Sequence, residues 1–317
     1  GLFVKTEFPS VYMRQFAAQR QAVDVATAEK SVTVNQLKYE IITLFTSLQL
    51  YLAKEKILKR QDSLFSVITE VNALRYKVGQ IAYIDMINGE AKYREIHNRY
   101  IQSTASLKNL ILQFNYFLGF PNDTSYLPDK DITKMNFILS DTSYISTNPS
   151  ITLAEKEILF SNKKMKVARS KMLPGLFWAF YNQGDENAET FYRLQYGITI
   201  PVFFWSYTSQ IKAARTDIDI SRSNLEYQSF VVNSLYNQAV SNYRKNTEAL
   251  MYYEKVGLSQ SDEIIKVASE SFKAGALSYY AYLVNIEQAF TIELGYIEVL
   301  TDFNQSIIDI QFITGQL

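Results

Sequence analysis

Residues 191–200 read Phe191-Tyr192-Arg193-Leu194-Gln195-Tyr196-Gly197-Ile198-Thr199-Ile200. In an extended chain successive side chains point to opposite faces. Tyr192, Leu194, Tyr196, Ile198 and Ile200 therefore share one face, and Phe191, Arg193, Gln195, Gly197 and Thr199 share the other. An apolar face backed by a polar one over about ten residues is the pattern of a barrel strand between lipid and water. Upstream, the apolar run Pro174-Gly175-Leu176-Phe177-Trp178-Ala179-Phe180-Tyr181 is a second strand candidate. The polar stretch from Asn182 to Thr190 suits the exposed loop of a hairpin. Trp178, Trp205 and the neighbouring Tyr and Phe residues would supply an interfacial belt. A soluble hairpin with one buried face carries the same alternation. A lone hairpin is marginal, however, and needs partner strands. With one more candidate strand in residues 2–12 it still cannot close a barrel. Open edges are not tolerated in lipid, so closure would require several chains.

On either side of this hairpin the chain changes character. Only 11 Gly and 6 Pro occur in 317 residues, well below ordinary usage. No proline falls between Pro9 and Pro121 or after Pro201. The two proline-free arms are rich in Glu, Lys, Gln, Ala and Leu, all good helix formers. Val34, Leu37, Ile41, Leu44, Leu48 and Tyr51 alternate steps of three and four, as do Ile292, Tyr296, Val299 and Phe303. That spacing makes a coiled-coil seam, and it also occurs in helices of a soluble bundle.

The arms repeat each other. Lys77-Val78-Gly79 and Lys273-Ala274-Gly275 are 196 residues apart, as are Leu118-Gly119 and Thr314-Gly315. A fixed offset of this kind marks a duplication. A Lys-x-Gly triplet after a long helical stretch is a stop signal. Each arm thus reads as a helix of about 60–65 residues, a turn, and a return helix of about 35–40. At 1.5 Å per residue the longer one would reach on the order of 90–100 Å, more than a compact soluble domain needs.

The expected fold is mainly α with a β-hairpin: long antiparallel coiled-coil helices in two repeats, plus membrane strands completed by other copies. The domain reading is a remnant of a first β-hairpin at 1–12 and a first helical repeat at 13–119. An irregular linker follows at 120–150, where three prolines fall among Asp, Asn, Ser and Thr. A short helix at 151–173 ends in the basic run Lys163, Lys164, Lys166, Arg169 and Lys171, and cations suit a helix C-terminus. The membrane hairpin is placed at 174–202 and the second helical repeat at 203–317.

Composition excludes several function classes. Net charge is zero, which disfavours nucleic acid as a partner. The absence of cysteine removes disulfides, thiolate metal sites and a Cys nucleophile. His97 is the single histidine, so neither a catalytic triad nor a histidine-based zinc cluster can be assembled. It reads as a surface residue of a helix. Asp217 and Asp219 are two apart on a helix and do not face each other. No phosphate-cradling glycine loop or dinucleotide fingerprint occurs. The reading is therefore not an enzyme, with no cofactor and no metal site. No apolar run reaches 18 residues, so strands must do any membrane crossing. The chain begins with Gly1 and shows no signal peptide, the look of a mature or trimmed form.

Taken together, these features resemble the TolC-type outer-membrane efflux channels. Those that match are Asn148-Pro149 leading a short helix to Ser170-Lys171-Met172-Leu173-Pro174, the strand end Gly197-Ile198-Thr199-Ile200-Pro201-Val202-Phe203, the arms with their Gly79 and Gly275 turns, and the closing glycines 119 and 315. The resemblance covers nearly the whole chain. The first arm starts sooner than in the family, which implies that a leading helical stretch and first strand are missing here. Tyr181-Asn182-Gln183-Gly184 and the Phe-Phe-Trp after Pro201 are similar to the CusC/CzcC-like heavy-metal branch, although the six Met residues are scattered and form no relay.

The resemblance implies a homotrimer in the bacterial outer membrane. Each subunit would give four strands to a twelve-stranded barrel, and its helices would extend into the periplasm as a tunnel. The duct would export passively, docked to a periplasmic adaptor (a membrane fusion protein) and an inner-membrane pump of the RND type. In the family an Asp six residues after the turn glycine lines the tunnel entrance; Asp85 matches, whereas Ala281 departs. Asp85 is thus expected at the entrance, with Tyr279, Tyr280 and Tyr282 as a steric constriction. The turns at Gly79 and Gly275 are expected to touch the adaptor. Two other readings fit parts of the pattern: a soluble coiled-coil structural or interaction protein, and a periplasmic adaptor. An adaptor has one helical hairpin flanked by small β-domains, whereas this chain has two arms flanking one hairpin.

Overall fold

A computed structural model describes residues 1–120, 127–129, 131–139, 147–183, 191–200 and 204–317, apart from the side chains of 183 and 204. The elements run β1 (Leu2–Thr6), α1 (Pro9–Lys77), α2 (Tyr83–Leu118), α3 (Pro149–Ser170), β2 (Gly175–Gln183), β3 (Phe191–Thr199), α4 (Phe204–Tyr252), a π-helical turn (Tyr253–Gly257), α5 (Leu258–Lys273) and α6 (Tyr279–Thr314). The chain forms two compact units. One comprises Gly1–Asn35 with Thr142–Leu235, the other Gln36–Asp141 with Tyr236–Leu317.

The first unit holds the sheet. Its three strands pair antiparallel in the order β1-β2-β3. The register sets Thr6 against Leu176 and Leu176 against Ile198. One end of the sheet is therefore where β1 leads to α1, α3 leads into β2, and β3 leads to α4. Pro9 opens α1, since its fixed φ and missing N–H suit a first helical position. Residues 9–12 consequently belong to the helix and not to the first strand. Asn148 caps α3 by accepting a hydrogen bond from the Ser150 amide at 2.8 Å, with Pro149 at the first helical position. The loop 184–190 and residues Pro201, Val202 and Phe203 of the matched strand end lie outside the described residues.

In the second unit the chain reverses twice by the same device. The amide of Gly79 donates to Tyr76 O and that of Gln80 to Arg75 O. At the other reversal Gly275 donates to Phe272 O and Ala276 to Ser271 O. Gly119 and Gly315 end α2 and α6 with the same pair of bonds. This is the Schellman closure, which needs one left-handed residue. These four glycines have φ of 75°, 73°, 69° and 68°. Helices α2 and α6 both have 36 residues, and their first residues are 196 apart.

The core of this unit gathers on α6. From Leu300 to Thr314, ten of fifteen residues are buried, too many for one stripe, so the helix is enclosed. Nearer its start, Tyr282, Leu283, Ile286 and Phe290 pack with Phe65 and Ile68 of α1, Ile96 of α2 and Ala268 of α5. Ion pairs fix α6 to its neighbours: Lys54–Glu298 at 2.6 Å, Arg60–Glu293, and Lys92–Glu287 at 2.5 Å. Burial holds the Glu293 carboxyl above the usual carboxylate range in spite of Arg60.

The described residues 131–139 have no regular secondary structure. They are held by side chains: Asn304 accepts from the Met135 amide (2.9 Å) and donates to Thr133 O (2.8 Å). Lys134 pairs with Glu254 at 2.9 Å, and Ile132 is buried against Leu250, Leu300, Phe303 and Ile307.

Two features depart from the periodic reading. The seam read from Val34 to Tyr51 is buried at Leu44 and Leu48, but Val34 is 42% and Leu37 45% exposed. The second arm is also interrupted by the π-helical turn. There Tyr253 lies over Gly295 of α6, and a Cβ at 295 would collide with its hydroxyl. Gly257, in the same turn, is buried. A wider turn shifts the phase of the face that packs on α6.

Candidate functional site: the sheet and the helical tip

The sheet has two unlike faces. Directly paired residues of neighbouring strands share a face. Leu2 and Val4, then Leu176, Trp178 and Phe180, then Tyr192, Leu194, Tyr196 and Ile198 line one side. Within the chain this side lies open. Tyr196 is 86% exposed, Leu194 73% and Ile198 64%. The opposite side is mixed: Lys5, Arg193, Gln195 and Thr199 stand among Phe3, Ala179, Tyr181 and Phe191, and the Phe177 ring lies where a Cβ of Gly197 would be. β2 and β3 have nine residues each, enough to cross a bilayer's hydrocarbon when tilted about 45°. Both β1 and β3 are edges among the described strands. An apolar face this continuous marks contact with a protein or a membrane.

At the reversals of the second unit the tip is a packed core. Tyr279 and Tyr282 are 6% and 7% exposed. The Tyr282 ring stacks on Phe272 at 4.6 Å between centroids, with Arg75 over the Phe272 ring at 5.1 Å. Tyr279 points between α1 and α2, with its hydroxyl over the backbone of Gly89. That hydroxyl faces the side chains of Thr69 and Asn72. Burial, opposed by these two neighbours, pushes its pKa up to about 12. Tyr279 and Tyr282 are thus packed inside this unit.

Tyr280, by contrast, is 56% exposed. It borders a cavity of about 250 Å³ between α2 and α6 that is also lined by Asn88, Lys92, Leu283 and Glu287. Asp85 sits half-buried in the first turn of α2, where the helix dipole favours a carboxylate. Of the four predicted entrance residues, Asp85 and Tyr280 stay accessible. Gly79 and Gly275 lie in the turns, with open space where a Cβ would stand. Gly89, Thr69 and Asn72 are missed by sequence reasoning; a glycine inside a helical pattern is the one signal that could have found the first.

His97 bonds Asp62 through Nδ1 at 3.0 Å and meets the Tyr93 ring at 5.8 Å, joining α1 to α2. Among the described residues no group of three His, Cys, Asp or Glu side chains could hold a metal ion. No described helix is long and apolar enough to cross a membrane, a statement that does not touch strands.

The outer-membrane channel CmeC of Campylobacter jejuni superposes on this chain with a TM-score of 0.87, over 99% of this chain and 70% of CmeC, at 15% identity. The chain has the fold of the TolC-type channels. The outer-membrane protein VceC of Vibrio cholerae gives 0.84 over 99% of this chain and 78% of its own, at 12% identity. CusC, solved in states that accompany folding and transmembrane channel formation, gives 0.84 over 98% and 76%, at 13% identity. No family model matches the sequence, and no curated protein does so significantly. The TolC-type fold thus shows itself through backbone geometry at identities where side chains have largely diverged.

Proposed function

We propose that this chain is a subunit of a passive export duct in the bacterial outer membrane. The observation that carries the reading is the sheet: nine-residue strands with an exposed apolar face, two open edges, and long helices leaving one end. Such a sheet is unstable alone and is completed by copies of itself, which favours a trimer with a shared twelve-stranded barrel to which β1, β2 and β3 contribute. The fixed 196-residue offset between the reversals supports two duplicated arms forming a periplasmic tunnel. The chain is read as a channel without enzymatic activity.

Asp85 and Tyr280 are the candidates for the tunnel entrance, Asp85 as a carboxylate ring that favours cations. The turns at Gly79 and Gly275, with no Cβ to hold a partner helix away, are the candidate contact with a periplasmic adaptor that links the duct to an inner-membrane pump of the RND type. Heavy-metal cations are the cargo that the CusC/CzcC-like segment suggests.

Conductance in planar bilayers tests the duct. The full-length protein should open stable channels and migrate as a heat-sensitive trimer in detergent. A water-extractable monomer that leaves bilayers sealed would end this reading. Asp85→Asn should lower cation selectivity; unchanged reversal potentials would remove the charge role.

A further inference from the structure

We infer that the helix-bearing end of the sheet binds the phosphate headgroups of an anionic lipid leaflet. The inference rests on the sheet lying in a bilayer and names its lipid partner.

The first observation is charge. Up to the nearest carboxylates Asp24, Glu157 and Asp217, the three segments that meet at this end are residues 1–23, 158–175 and 198–216. They hold ten Lys and Arg and a single carboxylate, Glu7, in a chain with 32 of each sign. The register brings the segments together, since Thr6, Gly175 and Thr199 lie at the same end of the sheet. At about 1.5 Å per helical residue, Lys5, Arg14, Arg169 and Lys171 stand within roughly 12 Å of the junction, about a Debye length, and the others lie farther along the helices.

The second observation is the absence of carboxylate partners, although Lys164 lies over the Phe160 ring at 4.4 Å. None of the ten forms an ion pair among the described residues, whereas Lys54, Lys56, Arg60, Lys92 and Lys134 of the other unit do. Arg14 spends one N–H on the Lys166 carbonyl at 3.0 Å. Lys164, Lys166 and Arg169 are exposed. Like charges gathered without counter-charge repel one another, and an anion from outside would relieve that repulsion.

The third observation is a cavity of about 430 Å³ at the junction. Lys5, Lys171, Tyr12, Tyr207, Leu173 and the single carboxylate Glu7 line it. Two ammonium groups against one carboxylate, with two phenols and an apolar side chain, suit a phosphate with the start of an acyl chain. Near the starts of α4 and α1, Trp205 is 67% and Phe16 73% exposed. Aromatic residues next to a band of cations form the usual order at a membrane interface. A lining of the bore for soluble anions would use the same charges but would not need the apolar rim.

The chain's two tryptophans, Trp178 and Trp205, report on this zone. The full-length protein is reconstituted in phosphatidylcholine vesicles containing a minor share of brominated phosphatidylglycerol or brominated phosphatidylcholine, and tryptophan quenching is compared. The phosphatidylglycerol arm should quench more strongly at low salt, by about fivefold in local lipid enrichment for each effective charge. The excess should vanish in high salt. Lys164→Gln/Lys166→Gln/Arg169→Gln, at exposed positions, should abolish most of the excess and leave quenching by brominated phosphatidylcholine unchanged. Lys5→Gln/Lys171→Gln should act in the same direction. Equal quenching by the two lipids in the wild type overturns the lipid site while leaving the membrane reading intact. Quenching by neither overturns the membrane reading itself. An excess that survives both variants, or one that 10 mM inorganic phosphate removes at constant ionic strength, also overturns the site. So does a variant that alters channel selectivity and not quenching.

Discussion

The hydroxyl of Tyr279 rests on the backbone of Gly89, in the space a Cβ at position 89 would occupy. This contact joins α6 to α2 directly under the reversals. Gly89→Ala forces either the ring or the helix to move. Overpacking of this kind costs about 1–3 kcal/mol, to be read as a lowered midpoint in urea or thermal unfolding. In a Tyr279→Phe background the loss should shrink, because the atom that collides is gone. Additive effects of the two changes would show that the contact is relaxed in solution.

Tyr279 also gives the tip a pH response. Its pKa is pushed up to about 12 by burial, against about 10 in the unfolded chain. The folded state then holds its proton after the unfolded state has lost it. Stability is complete below pH 10 and falls between pH 10 and 12. Tyr279→Phe should flatten that part of the profile relative to wild type.

The reversal glycines should behave differently from Gly89. No atom lies within 4 Å of a Cβ built at Gly79 or Gly275, and both have positive φ. The cost of Gly275→Ala is backbone strain alone, about 1–2 kcal/mol, and Gly275→Asn should cost less because Asn tolerates the left-handed region. Equal losses for Ala and Asn in unfolding experiments would point to a packing cause instead.

Asn304 clamps residues 131–139 by serving Met135 N–H and Thr133 O at once. Asn304→Leu keeps the branching at Cγ but neither the size nor the polar groups, and orphans both backbone groups. A loss of about 2–3 kcal/mol is expected, together with faster protease cleavage within 131–139 than in wild type. Cleavage at the wild-type rate would mean that Lys134–Glu254 and buried Ile132 hold the segment without the amide.

Several features were legible because they depend on local rules. Tyr192, Leu194, Tyr196 and Ile198 share a face whatever surrounds them, since the period of a strand is two. Gly79, Gly119, Gly275 and Gly315 marked helix ends because a Schellman closure needs a left-handed residue. Residues 2–12 read as one candidate strand, yet Pro9 within them suits the first position of a helix, and the chain uses it that way. At the tip the reading of Tyr279, Tyr280 and Tyr282 ran out. On a helix Tyr279 and Tyr282 point about 60° apart, and Tyr280 about 100–160° from them. Which of them turn inward depends on where α1, α2 and α5 lie. The same holds for Val34 and Leu37, whose spacing matches that of buried Leu44 and Leu48.

By itself, the sequence determined the two long arms, their reversals, the hairpin and its two unlike faces, because periodicity, glycine and proline act within a few residues along the chain. Tertiary structure alone decided that Tyr279 locks onto Gly89, that a π-helical turn adjusts the second arm, that Asn304 holds an otherwise irregular segment, and that Lys5 and Lys171 line one cavity at the end of the sheet. Each of these depends on residues distant in sequence meeting in space, and no local rule fixes who meets whom.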